Sequence, residues 1–190
     1  IAEGHGVTFA AGLATQNVRP IVAIYSTFLQ RAYDHIVHDA AIQHLPVVFC
    51  MDRAGIAGED GPTHHGALDI AYLKCVQDLV VTAPKDGNEL RNLLYTGLDY
   101  SKGPFSIRYP KASSVNFDVS GQAELLSIGN WEVCRKSNGN TVILSVGPQV
   151  FDSLKAAETM SEKGIECEVV NCRFIKPMDS AYLKSIIERF

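Results

Sequence analysis

Long apolar runs, a basic charge excess and paired cysteines are all missing from this 190-residue chain, and each absence removes a class of function. No stretch approaches the roughly 20 consecutive apolar residues that a bilayer span needs. No charged-then-apolar leader opens the chain either, so a cytoplasmic setting with no membrane partner is expected. Lys and Arg number 17 against 21 Asp and Glu, a formal charge of -4, so no positive field is available to neutralise a phosphate backbone. Nucleic acid is therefore not an expected partner. The five cysteines, Cys50, Cys75, Cys134, Cys167 and Cys172, are odd in number and contain no C-x-x-C pair. Reduced, buried thiols fit that pattern better than disulfides or metal ligands.

What is present is the composition of a globular protein: 46% hydrophobic and 20% charged residues. Short β-branched runs at Ile21 to Ile24, Val47 to Met51, Leu79 to Thr82 and Phe105 to Tyr109 are separated by helix-length segments. That alternation predicts an α/β fold on a parallel sheet. Asp86 with Glu89 three positions on predicts a capped helix carrying Leu90, Leu93, Leu94 and Leu98 on one face. Residues 112–130 lose periodicity and gain Ser, Asn and Gly, the composition of a connector. Beyond it, "WEVCRK", "TVILSV" and "ECEVVN" read as strands. "PQVFDSLKAAETMSEKG" reads as a helix ended by Gly164, and "MDSAYLKSIIERF" as one started near Asp179. A second α/β unit is expected there. The chain opens on "IAEGHG" without an initiator Met and stops inside a helical pattern, so it is expected to be a piece of a longer protein.

"GHGVTFAAG" begins like a dinucleotide loop but places Phe9 where the third glycine belongs, and no strand precedes it. A helix beginning near His5, with small residues for close packing, is the better reading. Glu3 then sits where the positive end of the helix dipole favours a carboxylate, which makes it a capping acid on local grounds. The stretch "DRAGIAGEDGPTHHGALDI", residues 52–70, crowds histidines, carboxylates, glycines and Arg53 at the carboxyl end of a strand, where open α/β sheets bind ligands. His64 and His65 are adjacent, so their side chains diverge and a shared zinc is a poor fit. Arg53 and Arg108 each follow a strand's apolar run, and two strand-end arginines can form an anion site. Tyr25, Phe28 and Arg31 follow a third strand; their near-helical spacing suits core packing as well as ligand contact.

"IAEGHGVTFAAGLA", "AIYSTFLQRAYDHIVHD", "DRAGIAGEDGPTHHGALDI" and "IRYPK" together closely resemble the transketolase family of thiamine-diphosphate enzymes, densely over residues 1 to about 111. "YSTFLQRAYD" and "DRAG" resemble the branch of that family that joins pyruvate to D-glyceraldehyde 3-phosphate with loss of carbon dioxide. The resemblance implies a transketolase-like pyrimidine-binding domain at residues 1–115, a linker at 116–129 and a smaller α/β transketolase C-terminal domain at 130–190. It implies thiamine diphosphate as cofactor and a homodimer. Glu3 matches the acid that hydrogen-bonds the aminopyrimidine and promotes its reactive imino tautomer, and Phe28 matches the ring that stacks on it. Tyr25, Arg31, Asp60 and His64 match residues lining the substrate side, with Glu3 and His64 as the catalytic pair and Tyr25 also touching the cofactor. Arg53 and Arg108 match the family's phosphate-binding arginines.

Gly4 and Gly6 stand where the family commonly has Gln and Ala, and Lys111 stands where it usually has Arg. The family's diphosphate motif, a Gly-Asp-Gly followed some thirty residues later by paired asparagines, is absent from this sequence. Mg2+ is therefore expected to be held mainly by another domain, and this piece alone is expected to be inactive. Two readings stand: the pyrimidine-binding and C-terminal part of such a synthase, or a non-catalytic dimerisation module such as one subunit of a split transketolase.

Overall fold

The computed structural model describes residues 2–189. Four short strands, β1 (Ile21–Ala23), β2 (Val48–Met51), β3 (Val80–Thr82) and β4 (Phe105–Arg108), form a parallel sheet in the order β1-β2-β4-β3. Each lies within a predicted apolar run. All four residues of β2 are buried, because the sheet is covered on both faces and alternate side chains enter different cores. Val47, Phe49, Met51 and Val81 pack with Val7, Leu29 and Ile36 on one face. Val48, Phe105 and Ile107 pack with Leu93 on the other.

Helix α1 (Glu3–Ala14) begins two residues earlier than predicted, because the Gly6 N–H already bonds the Ala2 carbonyl at 2.9 Å. Its small buried residues Ala10, Ala11 and Ala14 let it lie close against the next helical stretch. That stretch is irregular. It joins α2 (Ser26–Leu29), a 3-10 turn (Gln30–Ala32), α3 (Tyr33–His35) and a π turn (Ile36–Ala41). Helix α4 (Asp69–Cys75) leads into β3, and α5 (Gly87–Asp99) leads into β4. The predicted cap of α5 is present: Asp86 accepts from the Glu89 N–H, and Glu89 in turn accepts from the Lys85 N–H.

The second unit has strands β5 (Glu132–Arg135), β6 (Thr141–Ser145) and β7 (Cys167–Asn171) in the order β5-β7-β6, with α6 (Gln149–Ser161) packed on β7 and β6. Strands β6 and β7 are parallel and β5 is antiparallel to β7. Asp179 accepts from the Tyr182 N–H at the start of α7 (Ser180–Arg189), where the sequence predicted a helix start.

Three features add to or differ from the sequence reading. A strand that it did not mark, β8 (Phe174–Lys176), adds antiparallel to β3, so the first sheet gains a fifth strand from the second unit. The connector is tied to α5: Asn88, Asn92 and Thr96 accept from the backbone N–H groups of Asp118, Glu124 and Leu126. Cys50, Cys167 and Cys172 are buried free thiols as expected, but Cys75, the last residue of α4, is exposed and Cys134 half-buried.

Candidate functional site

The parallel order brings the carboxyl ends of β1, β2 and β4 together. Register pairs Met51 with Arg108, the Ala54 N–H bonds the Tyr109 carbonyl at 3.0 Å, and the Ser26 N–H bonds the Asp52 carbonyl at 2.9 Å. Three strand ends are thereby stitched into one rim. The loop after β2 folds back on itself through reciprocal Gly55 and Gly66 backbone bonds of 2.8 Å. A Cβ at Gly66 would lie 2.3 Å from Ser26 Oγ, so the loop closes on α2 only with glycine there. Gly61 takes φ +80 immediately before Pro62, which reverses the chain between Asp60 and His64.

Most of the predicted side chains form one continuous row. Glu3, its side chain 10% exposed, receives a hydrogen bond from Arg31 Nη1 on Oε1 at 3.2 Å. The Arg31 guanidinium lies over Phe28, 5.0 Å from the ring centroid, and Phe28 stacks on Tyr25 at 5.4 Å and 14°. His64 meets Phe28 edge-on at 5.2 Å, with Nδ1 3.0 Å from Thr63 Oγ1. The Arg53 guanidinium covers the other aromatic end, 3.9 Å from the Tyr25 centroid. Its Nε donates to Asp60 and its Nη1 to Asp52, each at 2.8 Å, from a residue whose backbone takes φ +54. Asp60 also accepts from Lys111 Nζ at 2.7 Å, and Lys111 together with Arg53 holds its carboxyl below the usual range.

Arg108 reaches the same rim but not the same row: its Nε donates to Asp69 at 2.8 Å. His65, as its position beside His64 implied, points elsewhere and accepts from the Ala57 N–H at 3.0 Å. Two residues that sequence reasoning did not single out stand here. Asp69 is almost fully buried, and the one signal for it is an acid set inside the apolar run "ALDIAYL". His35 packs its ring beside Gly4, where an added Cβ would lie 2.7 Å from Cε1. That contact accounts for Gly4.

Next to the row lies an open cleft of about 820 Å³, with Glu3, Gly6, Ile24, Tyr25 and Phe28 in its wall and the exposed Phe9 at its edge. Flat aromatic and small apolar surfaces with one shielded carboxylate suit a planar heteroaromatic ring bearing a nitrogen. Among the described residues no cluster of three or more His, Cys, Asp or Glu is placed to hold a metal ion, and no helix is long and apolar enough to cross a membrane.

Comparison with known proteins places the chain in a family. The transketolase pyrimidine-binding-domain model matches residues 1–115, and the transketolase C-terminal-domain model matches residues 129–189. The 1-deoxy-D-xylulose-5-phosphate synthase of Thermomicrobium roseum is 52% identical over 183 residues, 96% of this chain and 29% of that protein. The Aquifex aeolicus synthase is 52% identical over 190 residues, 100% of this chain and 30% of its own length. The chain thus spans less than a third of these relatives. A solved structure described as a split gene transketolase, inactive beta4 tetramer, superposes with a TM-score of 0.85 at 25% identity, covering 99% of this chain and 60% of that one. With more than half of its length matched by the first of these domains and most of the remainder by the second, the chain belongs to the transketolase family.

Proposed function

We propose that this chain is the pyrimidine-binding and C-terminal portion of a 1-deoxy-D-xylulose-5-phosphate synthase. Its full-length protein condenses pyruvate with D-glyceraldehyde 3-phosphate, releasing carbon dioxide, as a cytoplasmic homodimer that uses thiamine diphosphate and Mg2+. The observation that carries this reading is the row from Glu3 through two aromatic rings to Arg53, which puts a carboxylate at one end and anion-binding groups at the other. Thiamine diphosphate, when bound, supplies the carbon nucleophile and the electron sink for decarboxylation.

The chain's own residues do the rest. Arg31 fixes the orientation of the Glu3 carboxylate, and Glu3 would hold a proton toward a ring nitrogen of the pyrimidine when the cofactor is bound. Phe28 and Tyr25 supply the apolar faces. His64, set edge-on to Phe28, would serve the substrate side as a proton donor or acceptor. Arg53 and Arg108 take the acceptor's phosphate, because guanidinium groups pair with phosphate oxygens in a bidentate fashion. Asp60 holds both Arg53 and Lys111 at that end. Mg2+ and the diphosphate belong to the part of the protein outside this chain.

In the full-length protein, Glu3→Gln is expected to lower kcat by roughly 10²- to 10⁴-fold, the range for loss of a proton-transfer group. KM for pyruvate and affinity for thiamine diphosphate should stay near wild type. Wild-type turnover in that variant would reduce Glu3 to a helix cap. A second reading, one subunit of a split transketolase, draws on the 0.85 superposition with the split-gene protein. Identity of 52% to the synthases against 25% to that structure favours the first.

A further inference from the structure

The two phosphate-facing arginines are held in different ways. Arg53 is fastened on three sides, by Asp60 at Nε, Asp52 at Nη1 and the Tyr25 ring beneath it. Arg108 is held at one. Its Nε donates to Asp69 Oδ2 at 2.8 Å, and among the described residues neither η nitrogen has a hydrogen-bond partner. The Arg108 side chain as a whole is 15% exposed, so the arginine lies at a partly open rim. Asp69 is itself only 1% exposed, at the first residue of α4, and its other oxygen accepts from the Ile70 N–H at 2.9 Å. Both carboxylate oxygens are thus committed, one to the backbone of α4 and one to the arginine. A carboxylate so fixed allows Arg108 little rotation about its last torsions and turns the two-nitrogen edge of the fork away from it.

We propose that Asp69 is a positioning residue for acceptor specificity: it aims the free edge of Arg108 at the phosphate dianion of the acceptor. The inference rests on the reading of Arg108 as a phosphate contact. A planar fork anchored at Nε and open at both η nitrogens matches two phosphate oxygens, and the neighbouring Arg53, anchored through Nε by Asp60 in the same manner, is its counterpart across β2 and β4. The competing account, an ion pair that only fastens α4 to β4, makes a different prediction.

The test uses the full-length protein and two acceptors, D-glyceraldehyde 3-phosphate and unphosphorylated D-glyceraldehyde. Asp69→Asn should lower the ratio of kcat/KM between them by about tenfold or more, through KM for the phosphorylated acceptor, with KM for pyruvate within about twofold. Asp69→Glu retains the charge but displaces it by one methylene, and should lower the same ratio even where the Asn variant folds poorly. In an Arg108→Ala background, Asp69→Asn should change the ratio less than about twofold, since the residue it acts through is gone. Equal losses with both acceptors, or an undiminished effect in the Arg108→Ala background, would overturn the proposal and leave a structural ion pair. Wild-type protein that turns over neither acceptor with pyruvate overturns the function reading first, and this inference with it.

Discussion

Arg53 shows how much of a charged residue's work depends on shape. Its fork spends Nε on Asp60 and Nη1 on Asp52 while its plane rests on Tyr25 at 3.9 Å. A lysine offers a point charge without a plane and cannot reproduce those three contacts. Arg53→Lys in the full-length protein is therefore expected to raise KM for the phosphorylated acceptor by about tenfold, the cost of losing a charge-assisted hydrogen bond. Steady-state kinetics decide it: a wild-type KM would mean that charge alone suffices. Lys111 already meets Asp60 as a point charge, so that position tolerates an ammonium where Arg53 should not.

At the scale of the element, α1 combines a functional acid with poor helix formers. Gly4, Gly6 and Gly12 all lie within Glu3–Ala14, and each costs about 0.5–1 kcal/mol relative to alanine. Space around two of them differs. A Cβ at Gly12 meets nothing within 4 Å, whereas one at Gly4 meets the His35 ring at 2.7 Å. Gly12→Ala should therefore raise the melting temperature of the 190-residue chain by about 1–4 °C. Gly4→Ala should lower it, and adding His35→Ala should recover part of the loss by clearing the ring from the path. Thermal unfolding of the three variants measures this; stabilisation by Gly4→Ala alone would show that His35 moves aside at no cost.

Across the whole molecule, the two units are joined by buried polar groups as well as by β8. Asn171 of β7 donates to Glu89 of α5 at 2.8 Å and to Glu132 of β5 at 3.2 Å, while Lys85 pairs with Glu132 and Arg173 with Glu89. Burial by itself would raise the Glu132 carboxyl, but the hydrogen bonds from Lys85 and Asn171 and the charge of Lys85 outweigh it and bring it below the ordinary 4.5. A carboxyl depressed in the folded state contributes stability that is present above its unfolded value and lost as pH falls through the folded one. Glu132→Gln should therefore destabilise the chain near neutral pH, with the difference from wild type shrinking in acid, as pH falls below 4.5 and through the depressed folded-state value. Urea midpoints at neutral pH and in acid test it, and a difference of equal size at both would show that the charge of Glu132 contributes nothing.

Strands β1 to β4, the Asp86 cap and the crowded loop at residues 52–70 were legible in the chain itself, because each is encoded by a local pattern: an apolar run, a capping box, a cluster of turn residues. The placement of Arg53 and Arg108 at strand ends was legible for the same reason. That Met51 and Arg108 face one another, so that both arginines share a rim, was decided by the strand order, which no local pattern states. Strand β8 offers only Phe174 and Ile175 between Arg173 and Lys176, not an apolar run, and exists because the edge of β3 leaves backbone groups that need partners. Asp69 looks like a solvated helix acid in sequence; only packing removes it from water, and only the arrival of Arg108 from 39 residues away makes that burial tolerable.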